Sequence, residues 1–122
     1  MELVDKFQIF LDSSRKKLEE EIIHLKADHR AHEADFIKIK FNIYGIANSF
    51  YGNAKRVSPQ HIQDEYFKCF ERSQLQKKWE DVYRTAKEFG DVDRMRIEEL
   101  TLETLQEINS KFVQIMQDGE GQ

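Results

Sequence analysis

The sequence predicts an all-α fold, an antiparallel four-helix bundle whose third helix is broken. Three observations carry this expectation. Residues 1–44 contain no glycine or proline, and the only proline among the 122 residues is Pro59. Apolar residues recur at intervals of three and four along nearly the whole chain, the spacing that gathers side chains on one face of a helix. Turn-forming residues fall at 28–30, 53–58 and 90–91, which divides the chain into four long segments.

The first helix is expected over residues 2–27. Its stripe is Leu3, Phe7, Leu11, Ser14, Leu18, Ile22 and Leu25, while Arg15, Lys16, Lys17, Glu19 and Glu20 cover the other sides. Residues 26–35 offer no large apolar side chain until Phe36, and Asp28 can close a turn or cap a helix with its own carboxylate. The turn is therefore placed at 28–30. The competing pattern is one continuous helix through residues 28–35, because His29, His32, Phe36, Ile39, Ile43 and Phe50 stay in phase with the first stripe. Such a helix of about fifty residues would span roughly 75–80 Å and would require a swapped or coiled-coil dimer.

The second helix is expected over residues 31–55. Phe36, Ile37, Ile39, Phe41, Ile43, Tyr44, Ile46, Ala47, Phe50 and Tyr51 point in nearly every direction, the mark of a central, buried helix. Gly45 inside it costs about 1 kcal/mol of helix propensity, which implies a close backbone approach by a neighbour. Gly52-Asn53 begins the exit. Ser58-Pro59 then reads as a capping hydroxyl followed by proline at the first helical position. The third helix shows Ile62, Tyr66 and Phe70, but its stripe resumes out of phase at Leu75, Trp79, Val82, Ala86 and Phe89. Ser73-x-x-Gln76 forms a capping-box pattern at the slip, so the break is placed near Ser73.

Gly90 closes that helix and Asp91 caps the fourth, with Asp93 favourably placed for the macrodipole. Ile97, Thr101, Leu105, Ile108, Phe112 and Ile115 share one face, opposite Arg96, Glu99, Glu103 and Glu107. Residues 1–117 form one domain on this reading, followed by a frayed tail over 118–122.

Charged residues make up 34% of the chain, but 39% hydrophobic content with nine Phe, four Tyr and one Trp argues against disorder. The net charge of −4, without a clustered basic face, argues against nucleic acid as partner. No apolar run reaches membrane-spanning length, and the first residues lack the basic start and apolar core of a secretory signal. The single Cys69 rules out an internal disulfide. A cytoplasmic protein without membrane contact is expected.

Chemistry is sparse. His29-x-x-His32 and His29-x-x-x-Glu33 have the spacing at which helical side chains share a metal ion, and His61-x-x-x-Glu65 repeats the second spacing. A bundle metal site needs inward ligands from several helices, whereas the fourth helix brings only Thr101 and Thr104 near its core stripe. No metal or other cofactor is therefore expected, with His29, His32 and Glu33 as the residues to watch. Cys69 sits between Phe67 and Phe70 without an activating neighbour and reads as a small core residue. There is no Gly-rich phosphate loop, no nucleophile elbow and no CxxC pair, and the carboxylates all fall on polar faces. The chain is expected not to be an enzyme. Glu99, Glu103 and Glu107 form a ladder at four-residue spacing that reads as a solvated outer face.

Excess apolar surface remains. Ile9 and Ile23 lie off the stripe of the first helix, and Met95, Leu102 and Val113 form a second line on the fourth. Two such lines mark these five residues as candidates for an oligomer or partner face.

The segment Ala27-Asp-His-Arg-Ala-His-Glu-Ala-Asp-Phe-Ile-Lys-Ile-Lys-Phe-Asn-Ile-Tyr44, together with Gly90-Asp91-Val92 and the Glu-rich helix after it, resembles small all-helical bacterial proteins of unknown function. The resemblance covers about a third of the chain. It implies a helical bundle and a bacterial source, and assigns no site residue. The expected role is that of a non-enzymatic protein acting through protein–protein contact, by self-association into a homo-oligomer. The alternatives are a metal- or small-ligand-binding bundle and a small acidic protein of the immunity or anti-toxin type.

Overall fold

The structure is a computed structural model that describes residues 5–120, with side chains described through Asp118. Among the described residues it contains five helices and no strand: α1 (Lys6–Ala27), α2 (Ala31–Val57), α3 (Ile62–Ser73), α4 (Leu75–Glu88) and α5 (Val92–Glu120). The expected start at Glu2 and the stripe residue Leu3 lie outside the described residues. So do Gly121 and Gln122 of the expected tail, whereas residues 118–120 continue α5.

Each boundary has a local cause. Asp5 caps α1 by accepting from the Gln8 N–H at 3.1 Å. The first turn falls at residues 28–30, which excludes the continuous helix. The Arg30 N–H donates to the Leu25 carbonyl at 2.8 Å and the His29 N–H to the Lys26 carbonyl, the two bonds of a Schellman stop. His29 takes the left-handed conformation that this stop requires, at φ 58°, although it is not glycine. The same two bonds recur at the end of α4, from Asp91 to Ala86 and from Gly90 to Lys87, with Gly90 at φ 68°. Asp91 then caps α5 through the Arg94 N–H.

The second connection departs from the expected one. Gly52 lies inside α2, which runs on to Val57, and Ser58 ends that helix instead of starting the next. Pro59 occupies a turn closed by the His61 N–H on the Ser58 carbonyl at 2.9 Å. The fixed φ of proline suits the second position of such a turn as well as the first position of a helix, so the dipeptide alone does not separate the two. α3 then starts at Ile62 behind His61.

The break near Ser73 is a single left-handed residue, Gln74 at φ 56°. The expected capping box does not form. Ser73 Oγ donates to the Phe70 carbonyl and accepts from the Leu75 N–H, while the Gln76 side chain donates to Glu80.

α2 is central, packing on α1, α3 and α5, and α4 packs chiefly along α5. The shared core is aromatic. The Tyr66 ring lies 4.3 Å from Phe112, and Phe7 lies 4.8 Å from both Tyr51 and Phe112. Leu11, Ile43, Ala47, Leu105 and Ile108 fill the space around these rings. Such pairs contribute about 0.5–1.5 kcal/mol each beyond area burial. Phe89, expected on the apolar stripe, is instead 81% exposed at the C-cap of α4, where the helix has already ended. No helix among the described residues is long and apolar enough to cross a membrane.

Candidate interaction groove

A groove of about 640 Å³ lies along α5, with Phe67 of α3 and Gln76 and Glu80 of α4, residues on either side of the break at Gln74, among its lining. Its floor is apolar: Phe67 from α3 and Leu102, Leu105 and Val113 from α5. Its upper edges are amides and one hydroxyl, from Gln76 on α4 and Gln106, Asn109 and Ser110 on α5. Among the described residues Glu80 is the only ionisable one lining it.

The walls are fixed from behind. The Phe67 ring packs 5.5 Å from Phe112 and 5.3 Å from Tyr66. The Tyr66 hydroxyl donates to Asn109 Oδ1 at 2.8 Å, and burial pushes this phenol well above its ordinary range, so it stays a donor. Higher on α5, the Tyr83 hydroxyl donates to Glu99 at 3.1 Å, joining α4 to α5.

Two of the five interface candidates, Leu102 and Val113, line this groove, and both are half-buried. Met95 is half-buried on the same helix and is not among the lining residues. Ile9 and Ile23 stand 55% and 61% exposed on α1 and take no part in the groove. Sequence reasoning missed Phe67, Gln76 and Glu80. The available signal was Phe67 itself, a large aromatic off the Ile62–Tyr66–Phe70 stripe just before the phase slip.

The acidic ladder is exposed, as a solvated outer face would be, and two of its three members also meet tyrosine hydroxyls. Glu107 accepts from the Tyr44 hydroxyl of α2 at 3.5 Å, and burial with that carboxylate nearby pushes the Tyr44 phenol up to about 12. Glu99 is held by Tyr83, and Glu103 is exposed. One carboxylate overturns the expectation that all lie on polar faces. Glu98 is buried, with Arg94 Nε 3.4 Å from one oxygen and no partner for the other. Burial holds it above the ordinary carboxylate range against the pull of Arg94. It falls on the strip of α5 covered by α4, a side that the outward ladder Glu99–Glu103–Glu107 does not reveal.

The metal-spacing residues do not converge. His29 is in the turn, outside helical register, and His32 and Glu33 are exposed in the first turn of α2. Glu33 is paired with Arg30. No group of three His, Cys, Asp or Glu side chains with metal-binding geometry occurs among the described residues. Cys69 is buried in the core, and its sulfur accepts from Asn53 Nδ2 at 3.4 Å and from Arg72 at 3.6 Å, neighbours the sequence did not reveal.

A second polar cluster ties the start of α1 to the end of α2. Asp5 accepts from the Tyr51 hydroxyl at 2.6 Å and from Lys55 Nζ at 2.9 Å, and Gln8 bridges to Asn48 at 2.7 Å. Burial would raise the Asp5 carboxyl, but these donors hold it below its usual range. Every member of this cluster is accounted for by helix capping and packing. Comparison of the chain with protein-family models, with curated proteins and with solved structures finds no match.

Proposed function

We propose that this protein is a non-catalytic helical bundle that works through protein–protein contact, and that its contact face is the groove between α5 and the α3–α4 break. In this reading α3 and α4 act together as the bent third member of a four-helix bundle, and the groove lies beside the bend. The supporting observation is the apolar floor of Phe67, Leu102, Leu105 and Val113 within a groove of about 640 Å³. Grooves with apolar floors and polar edges are where amphipathic helices dock. Of the exposed apolar residues Ile9, Ile23, Val57, Phe89 and Val92, none lines this groove, and Phe89 borders a smaller hollow of about 320 Å³ at the α4–α5 turn.

Selection of helical peptides from a display library against the intact protein tests this reading. Selected peptides are expected to lose at least about tenfold in affinity against Leu102→Asn, and to keep it against Ile23→Asn, since core positions of an interface dominate its energy. Binders that ignore both Leu102→Asn and Val113→Asn would overturn it.

A further inference from the structure

We infer that the occupant of the groove is a basic amphipathic helix of a partner protein, its apolar seam on Leu102, Leu105 and Val113 and its cations beside Glu80, Glu99 and Glu103. The inference rests on the protein-contact reading above and names the chemistry of the partner.

The length of the site fits a helix. From Leu102 to Val113 is about 16–17 Å along α5, three turns, so a partner helix of three to four turns covers the floor. The charge around the floor has one dominant sign. Glu80 lines the groove on α4, where it accepts from Gln76 Nε2 at 3.3 Å, a neutral partner that leaves its charge uncompensated. On α5, exposed Glu103 directly follows Leu102 in the chain, and Glu99 lies one turn earlier with a tyrosine hydroxyl as its partner. Of the basic residues on α4 nearest this face, Arg84 is engaged by Asp81, and Lys77 follows the lining residue Gln76. Glu80, Glu99 and Glu103 thus stand on or beside the groove, against Lys77 beside Gln76 and Lys68 beside Phe67. An apolar floor flanked by an excess of carboxylates is the complement of a helix carrying leucine-like side chains on one face and Lys or Arg beside them.

The same charges disfavour a second copy as the occupant. A two-fold pairing brings the same patch of both subunits together, so Glu80 and Glu103 of one copy would meet those of the other. Each copy also carries a net charge of −4. Like charges across an interface oppose association.

The test uses the full chain and three fluorescein-labelled synthetic helices of about fifteen residues. They share a leucine seam and differ only in the remaining face, which is lysine, glutamine or glutamate. Anisotropy at low ionic strength is expected to show the lysine helix binding at least about tenfold more tightly than the glutamate helix, with an affinity that falls as salt is added. Glu80→Lys with Glu103→Lys should weaken the lysine helix about five- to tenfold and strengthen the glutamate helix. Both positions tolerate charge on a helix surface, and circular dichroism verifies the fold of each variant. Equal binding of all three helices, still lost in Leu102→Asn, would overturn the basic-helix inference and leave the contact reading standing. No binding of any helix, together with a Leu102-dependent dimer in sedimentation, would overturn it in favour of a second copy. No binding and no dimer would overturn the inference and the contact reading together.

Discussion

The Tyr66 hydroxyl donates to Asn109 Oδ1 across 2.8 Å, joining α3 to the wall of α5 that forms one side of the groove. The ring beneath that hydroxyl is fully buried against Phe112 and Phe7. One residue therefore centres the aromatic core and braces Asn109 on one wall of the groove.

Replacing Tyr66 separates these two roles. Tyr66→Phe should cost about 1 kcal/mol, because half-buried Asn109 can turn its amide to water. Tyr66→Ala should cost about 3–5 kcal/mol through the cavity it leaves in the core. Urea denaturation of the two variants measures both, and equal losses would contradict the division.

Two glycines inside α2 are free to be replaced. A Cβ on Gly45 would lie 4.0 Å from the Arg15 guanidinium, an ordinary contact, and one on Gly52 would meet nothing within 4 Å. The close backbone approach expected at Gly45 is absent; its neighbour is the Arg15 side chain, which also lies over the Phe41 ring at 5.1 Å. Gly45→Ala and Gly52→Ala should each stabilise by about 0.5–1 kcal/mol, visible as a higher melting temperature. A fall in melting temperature for either would contradict the placement of that helix.

The two Schellman stops predict opposite responses to substitution. His29→Gly should stabilise by about 1 kcal/mol, since an L side chain at positive φ is strained and glycine is not. Gly90→Ala should destabilise by a similar amount for the same reason. Thermal melts of both variants report the signs directly.

Two carboxylates give stability opposite dependences on pH. The Asp5 carboxyl, held below its usual 3.8 by Tyr51, Lys55 and the Gln8 N–H, stabilises the fold above that value. This contribution is lost as pH falls through its lower folded pKa. Glu98, raised above 4.5 by burial, penalises the folded state while it is ionised, and the penalty disappears as pH falls below 4.5. Glu98→Gln should therefore stabilise at neutral pH by about 1 kcal/mol, a gain that shrinks on acidification. Asp5→Asn should destabilise at neutral pH, a loss that also shrinks on acidification. Denaturation curves across the acid range separate the two.

The helical segments were legible in the sequence because each follows from spacing and local capping chemistry. Asp91 after Gly90 and the apolar line from Ile97 to Phe112 are local statements, and the structure contains them as read. The turn at His29 was legible from missing apolar residues, but the left-handed histidine that makes it was not, since no glycine advertises it. Ser58-Pro59 misled because one φ value serves both a turn and a helix start. The groove was half visible. Leu102 and Val113 stand out on a helical wheel, whereas their meeting with Phe67, Gln76 and Glu80 depends on how α3 and α4 cross α5, a tertiary fact. Glu98 was hidden for a related reason: which flank of α5 is covered depends on where α4 lies.

Docking of a partner helix in the groove between α5 and the α3–α4 break is open to direct mapping. The leucine-and-lysine helix is titrated into isotopically labelled protein and followed by amide chemical shifts. Shifts are expected to concentrate at Phe67, Gln76, Glu80, Leu102, Asn109 and Val113, with those around Ile9 and Ile23 unmoved. Shifts centred on α1, or on the α4–α5 turn around Phe89, would contradict it.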